Sequence, residues 1–221
     1  MKKLYEYSKN EFSQNGEDGI IEHIFNVLNI KNGVLLEIGA WDGFYLSNTA
    51  NIWSNNPEFK VVLIESTDRL KSNELEKKFE NVNCFVEMVT VDNGLEKLLD
   101  NSKFDITNNN FVLASIDIDG DDLNVTKSLG KYKPMVLIVE SNGDLVDKIN
   151  PIGSTVKELI DFGTNFGYEF IGMSGFINES IGNTFFVRND LKDKFEITKL
   201  DWIERGILTE NGKPYEKSFK L

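Results

Sequence analysis

Short, mainly apolar segments alternate with helical patterns along most of this chain. We predict a strand in each of the apolar runs, which cover residues 34–38, 61–64, 82–86, 111–116, 135–139, 170–173 and 184–187. Short apolar strands separated by helices are typical of a parallel sheet that helices cover on both faces. The last two strands have no helical segment between them, so one strand at that end is expected to be antiparallel. The pattern therefore predicts an α/β fold with a doubly wound, mostly parallel sheet.

The segments between the strands carry two kinds of helix signal, apolar periodicity and capping residues. Ile20, Ile24 and Leu28 share one face of a predicted helix over 16–29. Thr155 begins a capping-box pattern, and its helix is expected to end near residues 163–167. Three further helices are expected over 46–53, from a Thr67 cap to Phe79, and from Asp92 across Leu95, Leu98 and Leu99.

The chain has 221 residues and a formal net charge of −12, with an isoelectric point near 4.6. This length fits one domain, spanning residues 1–221. The negative charge repels polyanions, so nucleic acid is not an expected partner. The single cysteine, Cys84, forms no internal disulfide, and no stretch reaches membrane-spanning length, so the expected location is the cytoplasm. The only histidine, His23, falls on a polar helix face, which argues against Ser-His-Asp hydrolases and zinc sites.

The first predicted strand ends in a turn, residues 37–43, that contains two glycines and two acids. Gly39 allows the backbone to approach a ligand closely. A dinucleotide site requires a third glycine, and the acids Glu37 and Asp42 repel phosphate. The same acids suit a cofactor that carries ammonium and sulfonium cations. Glu65, at the end of the second strand, is placed to accept hydrogen bonds from both ribose hydroxyls.

Acidic residues also follow the fourth and fifth predicted strands. Asp117 and Asp119 share one side of an extended segment, and the next two acids, Asp121 and Asp122, are expected to be solvated and to cap a helix. An EF-hand calcium loop is excluded, because its glycine and its final glutamate are missing. Because the ends of neighbouring parallel strands meet, the predicted ligands of Mg²⁺ or Mn²⁺ are Asp117, Glu140 and Asn142. The alternatives are a cation–base pair, or hydrogen bonds from the fifth-strand side chains to loop backbone.

Six segments of the chain match, in order, the motifs of one family: residues 13–19, 36–43, 46–49, 115–120, 139–142 and 183–188. On these segments the chain, from about Phe12 to Asn189, resembles the FkbM-type methyltransferases. They are a branch of the class I S-adenosylmethionine-dependent methyltransferases. The resemblance implies a seven-stranded Rossmann-like sheet with a reversed last strand, and methyl transfer to an oxygen. Similar proteins decorate sugars in antibiotics, glycolipids, O-antigens and capsules.

The resemblance also implies S-adenosylmethionine as the cofactor and a sugar or nucleotide-linked sugar as the acceptor. An N-terminal segment, about residues 10–30, is expected to cover the cofactor, with loop 14–18 closing over it and loop 87–89 framing the rest. In better-known metal-dependent O-methyltransferases the acid and the amide after the fifth strand are adjacent, whereas Ser141 separates them here. The cofactor-binding candidates are Gln14, Asp18, Glu37, Gly39, Ala40, Asp42, Asn48, Glu65 and Ser66.

In this interpretation the acids after the fourth and fifth strands carry out the chemistry. A divalent cation on Asp117 and Glu140 lowers the pKa of the acceptor hydroxyl, and Asp119 accepts the proton. Asp117 and Asp119 are therefore the catalytic candidates. The expected acceptor pocket consists of loops 143–153 and 174–183, with Phe176 and Tyr45 packed against a sugar face.

Two other functions are compatible with the same fold. A dinucleotide-binding oxidoreductase is disfavoured by the missing third glycine and by the acids in the turn. A catalytically inactive binding module is disfavoured by the dense acids at three strand ends, whose repulsion is costly unless cations or ligands offset it. Cofactor titration separates the first of these from a methyltransferase. The acceptor, the metal and the oligomeric state, including a homo-oligomer, are left open by the sequence.

Overall fold

The computed structural model describes residues 4–92, 94–142, 151–174 and 181–195, and these contain a seven-stranded sheet. The strands are β1 (Gly33–Ile38), β2 (Phe59–Glu65), β3 (Val82–Val86), β4 (Phe111–Ile116), β5 (Val136–Asn142), β6 (Tyr168–Met173) and β7 (Ile181–Arg188). Their order is β3-β2-β1-β4-β5-β7-β6. β7 pairs antiparallel with β5 and β6, and the other pairings are parallel. The predicted doubly wound, mostly parallel seven-stranded sheet is confirmed.

The described residues also form six α-helices and two short 3-10 helices. The α-helices are α1 (Glu17–Leu28), α2 (Ala50–Trp53), α3 (Ser72–Lys78), α4 (Leu95–Asp100), α5 (Asp122–Lys127) and α6 (Val156–Phe166). The 3-10 helices cover Leu4–Tyr7 and Lys192–Lys194. Within these parts of the chain, no helix has both the length and the apolar character needed to cross a membrane.

Apolar side chains of the central strands divide between two layers, one on each face of the sheet. In β1, Leu35 and Leu36 are both fully buried but belong to different clusters, because successive strand side chains point to opposite faces. Helices α1, α2 and α3 contribute to the cluster of Leu35, and helices α4, α5 and α6 to the cluster of Leu36. Helices therefore cover both faces, as the apolar strands predicted.

Strand β5 continues three residues beyond its predicted end. Glu140, Ser141 and Asn142 belong to the strand, because β7 pairs with all three, opposite Asn183, Gly182 and Ile181 respectively. Pairing with β7 therefore fixes the backbone of Glu140 and Asn142, which belong to a strand and not to a loop. Residues i and i+2 of a strand face the same side, so Glu140 and Asn142 lie on one face of the sheet.

Three predicted helix starts are wrong. Helix α3 begins at Ser72, because Thr67 is held by the Glu65 carboxylate, to which its N–H and its hydroxyl both donate at 3.2 Å. Helix α4 begins at Leu95 and not at Asp92, after Gly94 with φ of 55°. Helix α2 begins at Ala50, because the preceding residues wrap around a buried carboxylate.

The capping box at the start of α6 is confirmed. The Thr155 hydroxyl accepts from the N–H of Glu158 at 3.1 Å, and the Glu158 carboxylate accepts from the N–H of Thr155 at 2.9 Å. The helix ends at Gly167, whose φ of 93° is left-handed.

Replacing Thr155 with alanine removes the acceptor of the Glu158 N–H at the helix start. We expect Thr155→Ala to lower the free energy of unfolding by about 1 kcal/mol, measured by urea denaturation. Thr155→Ser keeps the hydroxyl and is the matched control. Equal stability of the alanine and serine variants would contradict a stabilising cap.

Candidate active site at the carboxyl ends of the strands

A cleft of about 410 Å³ opens at the carboxyl ends of the central strands. Its walls come from the segments after β1, β2, β3 and β4, from the ends of β5 and β7, and from the N-terminal segment before α1. The lining includes Gln14, Glu17, Glu37, Gly39, Trp41, Asn48, Glu65, Ser66, Arg69, Glu87–Val89, Asp117, Asp119, Glu140 and Asn183. Among the described lining residues, Arg69 is the one basic side chain, and its guanidinium lies 4.0 Å from the Trp41 ring centroid. The cleft is therefore strongly acidic.

Glu37, at the end of β1, is almost fully buried and holds the following segment in place. One carboxylate oxygen accepts from the hydroxyls of Ser47 (2.6 Å) and Thr49, and the other accepts from the N–H of Asn48 (2.7 Å). Burial raises the pKa of Glu37, and these donors oppose that rise. Asn48 is thereby fixed in the cleft wall, where its amide donates to Ser115 Oγ at 2.9 Å.

The turn after β1 passes directly against the end of β4. Gly39 has φ of +79°, and a Cβ at this position would lie 1.7 Å from the carbonyl oxygen of Asp117. Only glycine tolerates both the left-handed backbone and this close approach. The N–H of Trp41 then donates to Glu65 at 3.1 Å, which ties the turn to the end of β2.

The Glu65 carboxylate lies in the cleft wall with most of its surface buried. One oxygen accepts from the hydroxyls of Ser66 and Thr67 and from the Thr67 N–H, at 3.1–3.2 Å. The other accepts from the Trp41 N–H. Because a carboxylate has about four lone-pair sites, this second oxygen keeps capacity for a ligand hydroxyl.

Three carboxylates converge where β4 and β5 end. One oxygen each of Asp117, Asp119 and Glu140 lies within 4.8 Å of the other two. Burial, with the charge of Asp122, raises the pKa of Asp117. Burial, with the charge of Asp117, raises the pKa of Glu140. The site therefore disfavours full ionisation unless a positive charge enters it.

Asp122 is a buried structural residue, so its prediction as a solvated acid is wrong. Its carboxylate accepts from the N–H groups of Ile118 (2.8 Å) and Gly120 (3.0 Å). These bonds hold the loop that carries Asp119, whose φ of 57° is left-handed. Burial raises the pKa of Asp122 to about 6.

Comparisons with known proteins bear on the fold. No protein-family model and no curated protein matches the chain. The crystal structure of the SeMet-substituted CurJ carbon methyltransferase aligns with a TM-score of 0.52 and 11% identity, over 77% of this chain and 52% of that one. The citrinin polyketide synthase CMeT domain aligns with a TM-score of 0.50 and 12% identity, over 78% and 51%. Aeropyrum pernix fibrillarin in complex with natively bound S-adenosyl-L-methionine gives 0.50 and 10%, over 71% and 67%.

The chain has the class I methyltransferase fold. It spans about half the length of the first two of these structures. At 10–12% identity the likeness concerns the path of the backbone. In doubly wound folds such as this one, ligands bind at the carboxyl ends of the strands, which is where the acidic cleft lies.

The structure brings most of the predicted site residues to this cleft. Gln14, Glu37, Gly39, Asn48, Glu65, Ser66, Asp117, Asp119 and Glu140 all line it, as does loop 87–89. The predicted acceptor loops lie largely outside the described residues, because residues 143–150 and 175–180, with Phe176, are not among them. Tyr45 is exposed at the cleft.

Four predicted site residues do not line the cleft. Asp18 accepts from the N–H groups of residues 11–13, each at 2.8 Å, and so shapes the N-terminal segment. Ala40 is buried, and Asp42 accepts from the N–H groups of residues 44 and 45. Asn142 donates its amide to Glu140 at 2.8 Å and to Asp122 at 3.2 Å.

Two cleft residues, Glu17 and Asn183, were not predicted individually; the sequence placed them only within loops 14–18 and 174–183. Glu17 is fully buried and accepts from the hydroxyl of Ser174, from the amide of Asn183 (3.2 Å) and from the N–H of Asn15 (2.7 Å). Asn183 lies opposite Glu140 in the β5–β7 pairing. Both residues occur in segments that carry the family resemblance, and this was the sequence signal from which they could have been predicted.

The Gly39 turn generates a stability prediction. Gly39→Ala forces the alanine backbone into the left-handed conformation, which lowers the free energy of unfolding by about 1–3 kcal/mol. The clash of its Cβ with the backbone of Asp117 costs roughly 1–3 kcal/mol more. Gly43→Ala is the matched control, because its φ is +91° but its Cβ would meet only side-chain methyl groups at 3.2 Å. We expect Gly39→Ala to be clearly the less stable variant in urea denaturation. Equal stabilities would mean that the turn is not in tight contact with Asp117.

Proposed function

We propose that this chain is an S-adenosylmethionine-dependent methyltransferase that methylates a hydroxyl oxygen of a sugar. The observation that carries the proposal is the acid-lined cleft at the strand ends of a class I methyltransferase fold. S-adenosylmethionine carries an ammonium and a sulfonium, both of which such a cleft favours. The pyrophosphate of a dinucleotide, by contrast, would face Glu37, Glu65 and Glu87 with Arg69 as the one basic side chain among the described lining residues.

The donor set at the ends of β1 and β2 fits this cofactor. Glu65 keeps an oxygen with capacity for a ribose hydroxyl, and Ser66 adds a hydroxyl beside it. The Gly39 turn and Asn48 offer backbone and amide groups to the methionine portion from the neighbouring wall. When bound, the cofactor supplies an activated methyl group on sulfur. The proposed cofactor-binding residues are therefore the predicted ones that line the cleft: Gln14, Glu37, Gly39, Asn48, Glu65 and Ser66.

The acceptor end of the site lies at Asp117, Asp119 and Glu140. A sugar hydroxyl held by these carboxylates would be aligned with the methyl group that the cofactor supplies, and the carbon–sulfur bond of the donor would break as the carbon–oxygen bond formed. The hydroxyl proton passes to a carboxylate, and we assign this role to Asp119, which is the exposed member of the cluster. A divalent cation on the same carboxylates belongs to this proposal, because it would lower the pKa of the hydroxyl.

The sugar acceptor rests on the resemblance to FkbM-type methyltransferases. A nucleotide or lipid carrier for that sugar bears phosphate, which the acidic cleft repels. We therefore propose that the sugar enters the cleft while the carrier phosphates remain outside it. Tyr45, exposed at the cleft, is the described aromatic residue that we expect to pack against the sugar ring.

Glu65 provides the test of cofactor binding. Glu65→Gln removes the charge that accepts a ribose hydroxyl, so we expect calorimetry to show S-adenosylmethionine binding weakened by about 1–3 kcal/mol. Asp42→Asn is the matched control, because Asp42 belongs to the same acidic turn region but does not line the cleft. Tight binding of NAD, with no heat from S-adenosylmethionine, would refute the proposal.

Asp119 provides the test of the chemistry. Turnover is measured by mass spectrometry against a panel of free, nucleotide-linked and lipid-linked sugars. Asp119→Asn should lower kcat by about 10²–10⁴-fold, the usual contribution of a general base, without changing cofactor affinity. Asp121→Asn changes a neighbouring acid outside the cluster and should retain activity. Methyl transfer found only on protein, nucleic acid or nitrogen would overturn the assignment.

A further inference from the structure

The three converging carboxylates have an unusual charge environment for a protein interior. Glu140 is 5% exposed, and Asp117 is partly buried beside it. The buried carboxylates of Asp122 and Glu17 add further negative potential at Asp117. Such repulsion is costly unless cations offset it. An acidic cluster alone does not establish a cation site, so a second observation is needed.

Asn183 supplies that second observation. It lines the cleft and is 5% exposed, and its Oδ1 is buried without a hydrogen-bond donor among the described residues. Its amide nitrogen is committed to Glu17 at 3.2 Å, which fixes the side chain with its oxygen unsatisfied. A buried carbonyl oxygen without a partner costs about 1–3 kcal/mol, so it marks a position where a donor or a cation belongs.

The sheet register places Asn183 beside Glu140, and both residues line the cleft. Asn183 of β7 is the direct partner of Glu140 of β5. Side chains of directly opposed residues in an antiparallel pair lie on the same face, with Cβ atoms about 5 Å apart. The unsatisfied amide oxygen and the acidic cluster are therefore parts of one site, which offers oxygen acceptors from three strand ends.

We propose that Asp117, Asp119 and Glu140 bind a divalent cation, Mg²⁺ or Mn²⁺, with Asn183 Oδ1 as the amide ligand. Each carboxylate contributes one oxygen, and the second oxygen of Asp119 remains the proton acceptor. Hard divalent cations select carboxylate and amide oxygens of this kind, and four protein ligands leave positions open for acceptor oxygens. The ligand set differs from the sequence-based prediction, in which Asn142 was the amide. The inference rests on the proposed function only for the role of the ion in methyl transfer.

Asn142 is assigned a positioning role. Its amide nitrogen donates to Glu140 and to Asp122, and Asp122 in turn holds the loop of Asp119. Asn142 therefore orients two ligands of the cluster without lining the cleft. Residues that orient metal ligands in this way commonly contribute about 10–100-fold to metal affinity.

Binding of Mn²⁺ to the full chain, without cofactor or acceptor, is measured by electron paramagnetic resonance of the free ion and by calorimetry. We expect one Mn²⁺ per chain, displaced by excess Mg²⁺. Asp117→Asn should weaken binding at least tenfold, and Asn142→Ala about 10–100-fold. Asp121→Asn, in the same loop but outside the cluster, should bind as the unmodified chain does.

Asn183 is tested by two substitutions, so that a folding defect does not hide the result. Asn183→Leu removes the oxygen and should weaken Mn²⁺ binding several-fold, whereas Asn183→Gln keeps an amide oxygen and a donor for Glu17 and should weaken it less. The proposed site would be overturned by the absence of saturable Mn²⁺ binding in the millimolar range. It would also be overturned if neither Asp117→Asn nor the two Asn183 variants changed the Mn²⁺ affinity. Binding of S-adenosylmethionine is measured separately by calorimetry in the presence of a chelator. A failure of cofactor binding therefore does not change the interpretation of the Mn²⁺ binding result.

Discussion

The contact between the Gly39 turn and the carbonyl of Asp117 fixes the geometry on which the rest of the site depends. The N–H of Asp117 donates to Ile38 at 3.2 Å, and the N–H of Gly39 donates to Ile64 at 3.1 Å, so the ends of β4, β1 and β2 are locked together. A side chain at Gly39 has no room. One wall of the cleft therefore presents Glu37 and Glu65, and the adjacent wall begins at Asp117. Backbone contacts set the distance between these two walls.

Buried carboxylates serve two different purposes around this contact. The carboxylates of Glu37, Asp18 and Asp122 accept from nearby N–H and hydroxyl groups, and so shape the loops that surround the cleft. Asp117 and Glu140 have their pKa values raised by burial and by neighbouring charge, and both line the cleft. The first group holds the backbone in place, and the second group faces the cleft.

The sequence predicts the sheet well, because each strand is a short apolar run with no competing pattern. Helix starts are predicted less well: Thr67 resembles a cap, but a buried carboxylate on the preceding strand takes its donors. Cleft residues at the end of a strand or directly after it, such as Glu37, Glu65 and Asp117, could be found from position alone. Asn183 could not, because its place opposite Glu140 depends on the register between β5 and β7.

The same limit explains the errors within the site. Asp18 and Asp42 were predicted to bind the cofactor and Asp122 to be solvated, and only their hydrogen-bond partners show that they hold loops. Asn142 was predicted as a metal ligand, but its amide nitrogen donates to Glu140 and Asp122 and the residue does not line the cleft. Side-chain direction at the end of a strand is set by tertiary partners, which a single sequence does not contain.

A crystal structure of the chain with S-adenosylhomocysteine and Mn²⁺ tests the central claim, that this acidic cleft is a methyl-transfer site, most directly. The account predicts that the ribose hydroxyls contact Glu65 and that the sulfur faces the acidic cluster. It also predicts an anomalous manganese peak at about 2.0–2.3 Å from oxygens of Asp117 and Glu140. S-adenosylhomocysteine bound elsewhere, or an unoccupied cleft at saturating concentration of both, would contradict it.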